Sequence, residues 1–143
     1  MAVTITLYNH TARMMANNEV DITTFRVMLV GSGYSFSASE TAIDTALAQE
    51  VSGNGWTAGG ETLSNPAITT VTTNDAKLDA DDISVTASGG SIGPATGAVL
   101  YADNSPDRPP LAYIDFGGSE TAGVGTDFNI TWNASGIFTW TYT

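Results

Sequence analysis

Asp127-Phe128-Asn129-Ile130-Thr131-Trp132, the turn Asn133-Ala134-Ser135-Gly136, then Ile137-Phe138-Thr139-Trp140-Thr141-Tyr142: this stretch decides how the chain reads. Phe128, Ile130 and Trp132 alternate with polar Asp127, Asn129 and Thr131. Phe138, Trp140 and Tyr142 alternate with Ile137, Thr139 and Thr141. A period of two is that of a strand, whose successive side chains point to opposite faces. Two such runs around a Gly-containing turn predict a hairpin over 127–132 and 137–142, with one aromatic and one threonine-rich face. Aromatic side chains bury large areas, so this hairpin is expected to anchor the core. Both parities of the last strand can be buried, which makes its outer face a candidate interface.

Upstream, the β pattern continues back to Ala67. Candidate strands are 67–73, 76–79, 83–87, 97–102 and 111–116. Ala98-Val99-Leu100-Tyr101-Ala102 is apolar without alternation, the mark of a central strand buried on both faces. Residues 103–110 hold three prolines, which remove ladder donors, and read as an exposed loop. Gly53-Asn54-Gly55-Trp56-Thr57-Ala58-Gly59-Gly60 is a glycine-dense loop. Before it, Ser39 can cap a helix from about Glu40 to Val51 with Ile43, Ala46 and Leu47 on its apolar side. Thr24 to Val30 reads as a strand ended by Gly31-Ser32-Gly33. Leu7, Tyr8, Ala12, Met14 and Met15 recur at helical spacing and predict a short helix over 7–16, stopped at Asn17-Asn18-Glu19. The expectation is a mostly β fold, an antiparallel β-sandwich or barrel-like domain with one or two short helices in its N-terminal third. All of 1–143 reads as one domain, with an N-terminal arm and short helix over 1–20 and the β domain over 21–143.

The composition agrees. Twenty-one threonines and 15 glycines supply pleated surface and turns, while only 13% of residues are charged. Thr, Val and Ile are stiff at χ1 and suit strands. A chain of 143 residues is long enough to bury roughly 68–70% of its unfolded surface without staples. The absence of cysteine excludes disulfides, thiolate metal sites and cysteine nucleophiles. Fifteen carboxylates face Arg13, Arg26, Lys77 and Arg108, a net charge of −11. Nucleic-acid backbones and anionic membranes repel such a surface, so neither is an expected partner. Negative charge keeps a β protein soluble or steers a basic partner. The first residues carry no basic, apolar leader pattern, and no run approaches the roughly 20 apolar residues of a membrane span.

Few side chains suggest chemistry. His10 is the sole histidine, and it reads as a hydrogen-bonded structural residue in the absence of a Gly-X-Ser-X-Gly motif. Asp79-Ala80-Asp81-Asp82, with Asp75 nearby, lacks the Asp-X-Asp-X-Asp-Gly order and distal Glu of a calcium loop and reads as a solvated turn. Asp115-Phe116-Gly117-Gly118 matches a kinase metal motif only by coincidence, because the accompanying lysine and catalytic loop are missing. The glycine clusters at 53–60 and 89–97 lack the strand–loop–helix context of a phosphate loop. No catalytic residue, cofactor or metal site is assigned.

Seven segments, in order, carry a resemblance: Leu7–Arg13, Thr24–Leu29, Glu50–Gly60, Thr72–Asp82, Ala98–Tyr101, Tyr113–Gly118 and Ile130–Phe138. On these the chain resembles a family of small tailed-bacteriophage virion structural proteins. The family often carries Tyr where Trp56 stands. The resemblance implies a non-enzymatic structural protein, foremost a head decoration (cement) protein. It would dock on the major capsid protein lattice as a homo-oligomer, with a trimer favoured, at the outer surface of the phage head. The alternative it implies is a tail or fibre component contacting the host surface, including its glycans. For the decoration reading, apolar or Gly-rich content near expected edges makes Val3 and Ile5 of the arm, Asn54, Trp56 and Thr57 of the glycine-dense loop, and Trp140 and Tyr142 of the last strand the expected contacts.

Overall fold

The computed structural model describes residues 3–71, 75–104 and 106–141. Its elements in chain order are β1 (Thr4–Leu7), α1 (Thr11–Ala16), a 3-10 turn (Ile22–Thr24), β2 (Phe25–Val30), α2 (Asp44–Leu47), β3 (Glu50–Val51) and β4 (Glu61–Thr62). There follow β5 (Ala67–Thr70), β6 (Asp75–Asp79), β7 (Ile83–Thr86), β8 (Ile92–Ala102), β9 (Pro110–Ala122), β10 (Asp127–Ile130) and β11 (Phe138–Thr141). The fold is mostly β, with antiparallel pairing and two short helices near the N-terminus, as its composition implies.

The main sheet runs β1-β9-β8-β2-β3, with β4 also on β2. Its centre is the β2–β8–β9 ladder, in which Val27 faces Leu100 and Leu100 faces Ala112. One face, through Val27, Leu29, Ala98, Leu100 and Ile114, packs into the larger core with Leu78, Phe128 and Ile130 from two small sheets, β10-β7 and β11-β6-β5, and with Trp132 just beyond β10. This is the sandwich. The opposite face, through Met28, Val30, Val99 and Tyr101, is covered by Tyr34, Ile43 and Ala46 from the segment after β2. The unalternated apolar run of β8 therefore has its physical reason: apolar matter lies against both of its sides.

Three sequence expectations are corrected. Residues 7–16 do not form one helix: Thr4–Leu7 is a strand paired with β9, Ile5 opposite Ile114, and only Thr11–Ala16 is helical. Val3, Ile5 and Leu7 alternate with Thr4 and Thr6 and pack against the larger core, so the strand period outweighs the helical one here. The helix expected over 40–51 is the single turn α2, and Glu50–Val51 pairs with β2 instead.

The third correction concerns the C-terminal hairpin. Phe128, Ile130, Trp132 and Phe138 are buried as the alternation demands, but β10 and β11 do not pair with each other. β10 lies on β7, with Ile130 opposite Ile83, and β11 lies on β6, with Phe138 opposite Leu78. Four residues separate Leu78 from Ile83 and seven separate Ile130 from Phe138, so the pairing of both segments is interrupted between these two register pairs. The turn after Trp132 is present, with Gly136 N–H donating to Asn133 O and Ser135 N–H to Asn133 Oδ1. It joins two sheets instead of closing one hairpin.

Candidate functional site

The residues singled out for chemistry are occupied by the fold. His10 donates from Nε2–H to the Pro110 carbonyl at 2.7 Å, and Thr11 Oγ1 donates to Leu111 O at 2.6 Å. Together they tie the start of α1 to β9. Tyr8 OH and Tyr34 OH lie 2.5 Å apart, and Tyr34 donates on to Glu40 Oε2 at 3.1 Å. Burial is the main cause that raises both phenols. Tyr8 is driven far above its ordinary value, and Tyr34 is pushed up to about 12. Both stay neutral across the physiological range and act as fixed donors between β1 and the 31–40 segment.

The acidic cluster is a brace at the level where the paired strands break. Asp82 Oδ1 accepts from Trp132 N–H at 2.9 Å, and Asp81 O accepts from Trp132 Nε1–H at 3.0 Å. Asp81 Oδ2 also accepts from Asn65 Nδ2–H at 2.6 Å, and Asp79 pairs with Lys77 at 3.1 Å. Lys77 Nζ reaches Ala134 O at 3.1 Å as well. Side-chain carboxylates thus satisfy backbone donors that the interrupted ladder leaves over. Asp75 sits in β6, across from Thr141 in register. Among the described residues no three His, Cys, Asp or Glu side chains converge as a metal would require.

The glycine-dense loop is likewise built inward. Trp56, expected as an exposed contact, is 2% exposed and packs edge-on to Phe128, ring centroids 5.5 Å apart. That burial corrects the expectation: a large aromatic ring gains more by joining the core than by meeting solvent. The loop folds under because Gly53 and Trp56 bridge each other, and because Glu50 and Glu61 accept from Gly59 N–H and Thr57 N–H. Gly60 is required where it stands: its φ is +96°, and a Cβ there would sit 2.4 Å from Val27 O. Asn54 is exposed but holds the 88–91 turn, donating from Nδ2–H to Ser91 O at 2.8 Å. Thr57 is exposed at the rim.

The expected contacts do not come together. Val3 and Ile5 are half-buried on the β1 edge, Asn54 and Thr57 lie on the loop, and Trp140 is half-buried on β11 against Phe138, ring centroids 5.1 Å apart. Tyr142 lies outside the described residues.

A different surface emerges around β5. All four of its residues are exposed, and among the described residues it pairs with β6 alone. Among the described residues, two of the three large hydrophobic residues that remain exposed are here, Ile68 at 47% and Val71 at 50%. A cleft of about 280 Å³ between α1 and the β5–β6–β11 sheet is lined by Ala12, Met15, Ala16, Ile68, Ala76 and Trp140, without one charged side chain. A second, of about 440 Å³, continues on the other side of Ile68 with Met15, Val20, Asp21 and Ile22 in its wall. Sequence reading recorded the 67–73 strand but missed this surface. The available signal was Pro66-Ala67-Ile68-Thr69-Thr70-Val71-Thr72-Thr73-Asn74, an uncharged run in an acidic chain. No family model, no curated protein and no solved structure matches this chain.

Proposed function

We propose that the chain is a non-enzymatic virion structural protein of a tailed bacteriophage, a decoration protein that docks on the major capsid lattice and stabilises the head. One observation carries the reading: the segments that bear the family resemblance are spent on architecture. Glu50, Trp56, Gly60, Asp81, Asp82 and Trp132 hold the loop, the core and the strand break together, with hydrogen bonds or packing. Motif residues that brace a fold define a rigid shape, and a rigid shape is what a shell-docking protein presents. A protein that binds the assembled lattice and not its free subunits stabilises the shell by mass action. The exposed apolar surface at Ile68 and Val71 supplies area of the kind that docking buries.

The experiment is co-sedimentation of the purified chain with undecorated heads, followed by heating. Saturable binding and a raised disruption temperature are expected. A chain that stays in the supernatant, or that labels tails in a particle map, rejects the head assignment. The glycan-binding alternative calls for a ring of exposed Trp and Tyr. Among the described residues Trp56, Trp132, Tyr8, Tyr34 and Tyr101 are instead buried.

A further inference from the structure

We propose that Asn54 is a self-modification site, at which the folded chain converts its own asparagine to isoaspartate through attack by the Gly55 amide nitrogen. Gly53 and Trp56 bridge each other, so Asn54 and Gly55 are the central pair of a two-residue reversal. Both take positive φ, +56° and +112°. That is the pattern of a type I′ turn, in which Asn-Gly is a favoured pair. Glycine is fixed at the second position, since a Cβ on Gly55 would sit 2.6 Å from Thr86 O. The turn that folds Trp56 inward therefore favours a dipeptide in which no side chain on the second residue hinders ring closure on the asparagine.

The site has what the reaction needs. Asn54 and Gly55 are both exposed, so water reaches them. Among the described residues nothing accepts from Gly55 N–H, which leaves its nitrogen open to act as the nucleophile. Gly55 N bonds to Asn54 Cγ, the Cγ–Nδ2 bond breaks, and the side-chain nitrogen leaves as ammonia with the proton from Gly55 N. A five-membered succinimide remains, and water opens it. Addition at the Asn54 main-chain carbonyl carbon gives isoaspartate, and addition at Cγ gives aspartate. The net change is amide plus water to carboxylate plus ammonium, with no oxidant or further reactant. No other asparagine in the chain precedes a glycine, and Asn65 precedes Pro66, which has no N–H to attack with.

Conversion undoes local contacts. Asn54 Nδ2–H donates to Ser91 O at 2.8 Å, and the amide lies against Gly90, where a Cβ would fall 2.7 Å from Nδ2. Either product lacks this donor and carries a carboxylate, so the 88–91 turn loses its tie. Isoaspartate does more, because the main chain then runs through Cβ and Cγ and the reversal gains an atom. The bonds from Gly53 N–H to Trp56 O and from Trp56 N–H to Gly53 O, at 2.8 and 3.1 Å, then no longer close together. Trp56, seated edge-on against Phe128, is the residue that this loosens.

The test is incubation of the folded full chain in warm, mildly basic buffer. Chymotryptic mass mapping with electron-transfer fragmentation then separates isoaspartate from aspartate. Conversion is expected at Asn54 at least tenfold ahead of any other asparagine, with isoaspartate in excess, and the aged chain melts at a lower temperature. Asn54→Gly keeps a residue that the turn accepts and has no amide to lose, so its melt holds through the same incubation. Asn54 left intact while other asparagines convert overturns the proposal. So does aspartate without isoaspartate, the mark of direct hydrolysis. Conversion in urea with none in the folded chain also overturns it, by showing that the turn shields Asn54. An equal fall in the melt of aged Asn54→Gly rejects the consequence for Trp56.

Discussion

Single residues in this protein act chiefly by where they place backbone donors and ring planes. Gly60 shows the tightest constraint, because its positive φ and its approach to Val27 leave no space for a side chain. Gly60→Ala is expected to cost about 1–3 kcal/mol in urea denaturation, the range for strain at a special backbone site. Asp82 satisfies the N–H of Trp132 at 2.9 Å. Asp82→Ala is expected to destabilise by about 1–2 kcal/mol, and Asp82→Asn, which keeps an acceptor, by less. The Tyr8–Tyr34 pair sets a pH dependence. Both phenols are raised above the ordinary 10.0, Tyr34 to about 12, so the folded state holds protons that the unfolded state releases. Their contribution is fully present below pH 10.0 and is lost as pH climbs through about 12. Denaturation midpoints recorded across that alkaline window should fall, with a shallower slope in Tyr34→Phe.

At the scale of elements, each strand's importance follows from how many layers it touches. β6 is the middle strand of β11-β6-β5, and its Leu78 is fully buried opposite both Phe138 and Ile68. Leu78→Ala is expected to cost about 2–5 kcal/mol, transfer loss plus cavity. Ile5 on the β1 edge is only half-buried, so Ile5→Ala should cost about 1 kcal/mol on the same denaturation scale. Strand identity was largely legible in the sequence: 127–132 and 83–87 contain observed strands, 76–79 and 97–102 lie inside longer ones, and the alternation at 127–132 named its buried residues. Pairing was not. The Gly136 turn marks a chain reversal equally well for a hairpin or for a crossing between sheets, because hydrogen-bonding edges are chemically alike and only packing chooses the partner. Short helical patterns misled at Leu7 and at residues 50–51, where a neighbouring strand edge captured a segment whose local preference was weak.

The whole molecule is an acidic, cysteine-free sandwich, and among its described residues an uncharged β5 exposes Ile68 beside an apolar cleft. If docking to a shell is steered by this charge, raising salt should slow association and weaken it, since exposed charges are screened beyond about 8 Å at physiological ionic strength. Surface plasmon resonance on immobilised heads reads this as a falling on-rate. A salt-independent on-rate would detach the charge from the docking role. The contact residues were the least legible part. Trp56 was expected outside because glycines surround it, yet the same glycines let the loop bend its ring inward against Phe128.

By itself the sequence determined the β class, the parity of its strands, the two-sided burial of 98–102 and the acidic, thiol-free surface. Each of these follows from residue type and spacing along the chain. Only the tertiary structure decided which strands pair, that the acidic cluster braces a broken ladder, that Trp56 is core, and that an apolar cleft lies between α1 and the β5–β6–β11 sheet. Those depend on groups far apart in sequence meeting in space, where burial and hydrogen-bond satisfaction are settled for the chain as a whole and not by any local stretch.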